Sequence, residues 1–133
     1  MAETTAFELV SPERLMVSKD VEMVVVPGAE GYFGVLPRHA PMISTLNAGV
    51  IDIHQGGKVE ERIFIAGGFA EVTEDRCTVL AEEAVPVGDI DPAAVRQEIA
   101  NLSDELKDSA EGPETARLTQ RIQTLEAKAA AAA

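Results

Sequence analysis

Tryptophan is absent from this 133-residue chain, and aromatic residues make up only 4% of it. A core must therefore be built from Val, Ile, Leu, Met and Ala. Basic residues are also scarce: 11 Lys and Arg stand against 23 Asp and Glu, a formal charge of -12. That excess argues against the phosphate-neutralising surface of a nucleic-acid binder and against adhesion to anionic lipid. No apolar run approaches the roughly 18–20 residues needed to span a bilayer, so no direct lipid insertion is expected. Met1 to Thr5 lack the basic and apolar regions of a secretory signal. The single cysteine, Cys77, has no partner for an internal disulfide, which suits a reducing compartment.

What is present changes character once. Residues 1–88 are rich in Val, Ile and Gly and read as a β domain; residues 89–133 are rich in Ala, Leu, Gln and Glu and read as helical. Short strands are expected at Phe7–Val10, Val21–Val26, Ile43–Leu46, Val50–His54, Val59–Ile65, Phe69–Val72 and Cys77–Ala81. Gly56-Gly57 is a hairpin turn between two of them, and Pro27-Gly28 ends the Val21–Val26 run. The spacing leaves no room for crossover helices, so an antiparallel sandwich or barrel is favoured over a parallel sheet. Beyond Asp89, Asp91 is the expected N-cap and Pro92 the first helical residue. Val95, Ile99, Leu102 and Leu106 form one helical stripe, Gly112-Pro113 stops the helix, and Leu118, Ile122, Leu125 and Ala129 form a second stripe. Two such helices joined by a tight link read as an antiparallel hairpin ending in the alanine tract Ala129–Ala133.

Catalytic chemistry finds little support. Neither common phosphate-loop motif occurs. Gly28, Gly31 and Gly34 are followed by Val35-Leu36-Pro37 rather than a helix start, so they read as turn glycines. His39 and His54 are the only histidines and, with one cysteine, make a zinc site improbable. Cys77 falls in strand periodicity and reads as a structural thiol; His54 fits the polar side of its strand. Glu82 and Glu83, as strand neighbours, point to opposite faces and cannot both reach one substrate. No catalytic residue, metal or cofactor is implied. One segment stands out: Gly31 to Met42 mixes turn residues with large apolar ones. It reads either as a stiff protein–protein contact or as a loop folded over the open end of the sandwich.

Three stretches carry a family resemblance. Phe7-Glu-Leu-Val-Ser-Pro-Glu-Arg14, Pro27-Gly-Ala-Glu-Gly-Tyr-Phe-Gly-Val-Leu-Pro-Arg-His-Ala-Pro41, and Phe64-Ile-Ala-Gly-Gly-Phe-Ala-Glu-Val72 with Val79-Leu-Ala-Glu-Glu-Ala84 resemble the epsilon subunits of rotary F-type ATP synthases. Order, spacing and the helical hairpin agree over about residues 6–126. The resemblance implies a flattened β-sandwich of about ten strands followed by an antiparallel helix pair. It implies a non-catalytic part of the central stalk, peripheral on the cytoplasmic face of the bacterial inner membrane, linking the gamma subunit to the c ring and coupling proton flow to ATP synthesis. By this likeness Glu30, Gly31 and Tyr32 face the c ring, and Arg38, His39, Ala40, Pro41 and Met42 lie against gamma. The C-terminal helices are expected to reach the alpha/beta hexamer in many members.

The helices depart from the family pattern. An Ile/Leu-Asp-x-x-Arg-Ala element that binds ATP in some members here reads Ile90-Asp91-Pro92-Ala93-Ala94-Val95, with Ala94 at the arginine position and Arg96 two residues on. Asp91, Arg117 and Arg121 remain as candidates for a weak nucleotide contact. The other reading of the two arginines is a solvated helix face. Outside the resemblance, a stand-alone β-sandwich binding module and a small enzyme using Glu82, Glu83 or His39 are the remaining classes.

Overall fold

A computed structural model describes residues 3–109 and 112–132. Met1, Ala2 and Ala133, which belong to the terminal stretches read above, lie outside the described residues. The chain divides into two compact units, Met1–Val87 and Gly88–Ala133.

The first unit contains β1 (Thr5–Val10), β2 (Leu15–Val21), β3 (Met23–Gly28), β4 (Gly31–Val35), β5 (Met42–Leu46), β6 (Gly49–Gln55), β7 (Lys58–Ile65), β8 (Gly68–Val72), β9 (Arg76–Ala81) and β10 (Ala84–Pro86). Hydrogen bonding runs in the order β10-β7-β6-β3-β5-β8-β9-β1-β2, with β4 on β3. Strand β3 joins the two halves of the sandwich. It pairs with β6 through Met23–Val25 but touches β5 only at Gly28 opposite Leu46. The core between the layers is aliphatic, as the composition requires: Leu9, Val24, Val26, Ile51, Ile53, Ile65 and Val79 are fully buried, with Phe7 among them. The second unit follows a single 3-10 turn, Val87–Asp89, and consists of α1 (Pro92–Asp108) and α2 (Pro113–Ala132).

Several features of the strands differ from the sequence expectations. The sandwich is antiparallel except for β1 and β9, which pair in parallel from Ala6 opposite Arg76 to Val10 opposite Leu80. No crossover helix is needed, because the chain between them builds most of the sandwich. The Val21–Val26 run is two strands, broken at Glu22, whose backbone N–H donates to the His54 carbonyl at 3.1 Å. Pro27 lies inside β3 rather than ending it. Strand β5 joins β3 only one residue later, so no ladder N–H is required of the proline. Finally, Gly31–Val35 is a strand and not a loop, paired with β3 from Val24 opposite Val35 to Gly28 opposite Gly31.

The turn at Gly56-Gly57 forms as expected, with φ of 64° and 77° joining β6 to β7. Asp91 caps α1, its carboxylate accepting from the N–H groups of Ala93 (3.1 Å) and Ala94 (3.2 Å). Helix α1 ends earlier than expected, at Ser109 rather than Gly112. The Ser109 hydroxyl donates to the Leu106 carbonyl at 3.0 Å, satisfying one of the last-turn acceptors. Gly112 instead opens α2, its carbonyl accepting from the Ala116 N–H. Contacts between Ser109 and Thr115 and between Glu98 and Arg121 match an antiparallel pair. Val95 and Leu125 are buried. Among the described residues, no helix is long and apolar enough to cross a membrane.

Candidate functional site

The tip of the β3–β4 hairpin is a two-residue turn, Ala29-Glu30, held between Gly28 and Gly31. Gly31 has φ of 130°, in the region that favours glycine. Glu30, Gly31 and Tyr32 are all exposed. Tyr32 stands across from Pro27 on the neighbouring strand, and its hydroxyl accepts a hydrogen bond from the Val50 N–H at 3.3 Å.

The loop from Leu36 to Pro41 leads from β4 to β5. Arg38 is the only non-glycine residue with positive φ (66°) among the described residues. Its N–H donates to the Glu74 carbonyl at 2.9 Å, and its guanidinium pairs with Glu3 at 2.9 Å. The His39 N–H donates to the Leu36 carbonyl, its Nδ1 donates to the Ala40 carbonyl at 2.7 Å, and its ring lies 6.4 Å from that of Phe33. Arg38, Ala40 and Pro41 are exposed. The fold brings part of the second set of sequence candidates to the first, but not Arg38, Ala40 or Pro41. Glu30, Gly31 and Tyr32 share one open cleft of about 560 Å³ with His39 and Met42. Strand β4 makes this possible, since it carries the chain away from the hairpin tip and the loop turns back into β5.

A larger feature escaped the sequence reading. On the outer face of β5, β8 and β9, Ile43 (74% exposed), Phe69 (57%) and Leu80 (52%) form one apolar patch around a shallow groove of about 290 Å³. Phe69 is directly opposite Leu80, and Leu80 opposite Val10. Leu15, opposite Val10 and 54% exposed, carries the row onto β2. Neighbouring strands thus present large apolar side chains to solvent where a free sandwich would carry polar ones. The signal was in the alternation. Ala70 and Val72 point inward, so Phe69 and Glu71 must point outward, and a phenylalanine at an outward position is anomalous.

The remaining candidates stay apart. The Asp91 carboxylate is occupied in capping α1. Arg121 pairs with Glu98 at 3.4 Å, and Arg117 is exposed. Asp91 opens α1 whereas Arg117 lies near the start of α2, so in an antiparallel pair they are roughly 20 Å apart along the helix axes. Cys77 is buried, and desolvation pushes its thiol up to about 12, far from nucleophilic use. Glu82 and Glu83 sit in the bend between β9 and β10, not on a strand. Glu82 donates its N–H to the Gly67 carbonyl, and the Glu83 carbonyl accepts from Ala66. His54 is half-buried rather than exposed. Among the described residues no group of His, Cys, Asp and Glu is arranged to hold a metal. This surface combines an apolar face, the loop from Leu36 to Pro41 and a glycine-flanked hairpin tip.

Residues 4–87 match the family described as the beta-sandwich domain of the ATP synthase delta/epsilon chain. The chain is 56% identical over 131 residues to the ATP synthase epsilon chain of Rhodospirillum rubrum, covering 98% of both. It is 53% identical over 133 residues to that of Paramagnetospirillum magneticum, covering all of both. In fold it resembles a chain of the Euglena gracilis mitochondrial ATP synthase (TM-score 0.82, 21% identity, 96% of this chain and 81% of that one). It also resembles a chain of the Tetrahymena thermophila mitochondrial ATP synthase central stalk and c ring (TM-score 0.65, 13% identity, 98% of each). The ten-stranded sandwich, the helix pair that follows it in the chain and the full-length identity to bacterial relatives lead to one assignment: the chain belongs to the epsilon subunits of ATP synthase.

Proposed function

We propose that this chain is a non-catalytic rotor subunit that joins gamma to the c ring and transmits rotation between proton flow and ATP synthesis. The observation that carries the reading is the apolar face of Ile43, Phe69 and Leu80, whose Ile43 also borders the cleft lined by Tyr32 and His39. An outward apolar sheet face on an acidic domain requires a protein partner, and gamma is the partner that the family offers. The hairpin tip at Glu30, Gly31 and Tyr32 is the contact for the c ring. A closely hydrogen-bonded sandwich resists shear, which a torque-bearing spacer needs. The subunit is peripheral, held at the cytoplasmic face of the membrane through the complex.

The helix pair is the part proposed to reach the alpha/beta hexamer. With Asp91 engaged as a cap and far from Arg117, nucleotide binding by these residues is not part of the proposal.

The test is a pull-down of the tagged full-length chain from detergent-solubilised membranes. Gamma, alpha, beta and the c subunit are expected in the eluate. Recovery of the chain without rotor components overturns the reading.

A further inference from the structure

The hairpin tip does not stand alone. Strand β6 is paired with β3 only through Asp52–His54, so the Val50 N–H lies beyond that ladder. The Tyr32 hydroxyl, reaching across from β4, accepts it. Around this contact the tip is tied to the turn between β5 and β6. The Ala29 N–H donates to the Thr45 carbonyl at 2.9 Å, the Asn47 N–H to the Pro27 carbonyl at 2.8 Å, and the Asn47 side-chain amide to the Gly28 carbonyl at 3.4 Å. Space is reserved for the tyrosine as well. A Cβ on Gly49 would stand 2.6 Å from the Tyr32 hydroxyl and 2.9 Å from the Pro27 Cβ, closer than real Cβ contacts come. Although 61% exposed, Tyr32 is therefore anchored at its hydroxyl end.

We propose that Tyr32 is a positioning residue, a latch whose hydroxyl fixes the β3–β4 hairpin to the start of β6 and so holds the hairpin tip in register beside the β5–β6 turn that Ala29, Pro27 and Gly28 bind. The inference rests on the reading of the tip as the c-ring contact. Load arriving at Glu30 and Gly31 passes through the latch into β6, while the Ala29–Thr45 bond carries it into β5. A flexible tip would instead absorb displacement by bending. Recognition and stiffness then reside in different atoms of one side chain, the exposed ring edge and the bonded hydroxyl. Gly49 is the residue that leaves room for the latch.

The test has two parts. In the first, amide exchange of the full-length chain is followed by NMR. Tyr32→Phe keeps the ring and removes the acceptor, and is expected to speed exchange at Val50 about tenfold, the effect of one hydrogen bond. Gly49→Ala leaves Tyr32 in the sequence but displaces it, and is expected to speed exchange at Val50, Ala29 and Gly31. The two substitutions remove the same latch, so their effects in the double variant are less than multiplicative. Unchanged Val50 exchange in Tyr32→Phe, or fully multiplicative effects, overturns the latch. In the second part, Glu30→Cys is cross-linked to the c subunit in the assembled complex, with and without Tyr32→Phe. A lower yield with Tyr32→Phe supports positioning of the tip, and an equal yield overturns it. No cross-link in the Tyr32 parent refutes the c-ring reading itself, whatever the exchange data show.

Discussion

If the outward apolar face docks on gamma as proposed, its exposed area predicts a measurable affinity. Full burial of a large apolar side chain contributes about 1.5–3 kcal/mol. Phe69 is 57% exposed in the free chain, so covering the remainder contributes about 1–2 kcal/mol to docking. Phe69→Thr keeps a strand-favouring residue at an outward position while removing the ring. It is expected to weaken binding to gamma about 5–30-fold. Ile43 and Leu80 are 74% and 52% exposed, and replacing all three by threonine is expected to cost about 3–5 kcal/mol, more than about 100-fold in Kd. Each single substitution is expected to cost about 1 kcal/mol of stability or less, because half or more of each side chain is already exposed in the free chain. The melting temperature of each single variant is expected within a few degrees of the parent. The assay is calorimetric titration of purified full-length chain into the alpha–beta–gamma assembly, paired with a thermal melt. A triple variant that binds with parental affinity refutes the assignment of this face. Weakened binding accompanied by a collapsed melting temperature refutes the argument that the residues act from the surface.

Three further outcomes are expected. Gly68 has φ of 144°, and a Cβ there would drive into the Leu80 carbonyl oxygen and stand 3.0 Å from the Ala81 Cα. Gly68→Ala is therefore expected to destabilise the sandwich by more than about 2 kcal/mol, read by urea denaturation, whereas Gly88→Ala, with open space around it, should be close to neutral. Cys77 should resist a thiol reagent at pH 8 in the native chain and react fully on unfolding. Burial raises its pKa from 9.0 to about 12, so between these values the unfolded chain ionises first and stability falls as pH rises through that window. Truncation after Asp89 should leave a folded sandwich that assembles into a coupled complex; loss of proton-coupled activity in that variant refutes the separation of tasks between the two units.

Much of the architecture was legible because it is local. The Gly56-Gly57 turn, the Asp91 cap with Pro92 behind it and the aliphatic strands β6, β7 and β9 each follow from a few neighbouring residues. What escaped depends on residues far apart in the chain. Strand β4 carries two glycines, Gly31 and Gly34, and reads as a loop until its pairing with β3 is seen. Strand β2 mixes Ser18, Lys19 and Asp20 into its run, and β10 is only three residues long. The break at Glu22 arises from bonds to His54 and Gln55, more than thirty residues away, which no periodicity anticipates. At the site, the segment from Gly31 to Met42 stood out in the sequence by its mixture of turn and large apolar residues. The cleft that joins Tyr32 to His39 and Met42 required the return of the chain through β4. The apolar face was hidden for another reason: outward residues such as Phe69 and Leu80 are flanked by apolar neighbours, and a one-residue change in assumed phase would bury them.

The parallel pairing of β1 with β9 has a consequence for biogenesis. Phe7 and Leu9 are made first, yet their sheet neighbours on that side, Cys77 and Val79, leave the ribosome some seventy residues later. At about 5–20 residues per second, the first strand waits several seconds for this partner, with only β2 beside it. Closure of the domain is thus a late event, dominated by long-range pairing and slow for its size. Until then, two of the largest core side chains stay available to chaperones, and quality control has its longest opportunity to act on the amino-terminal strand.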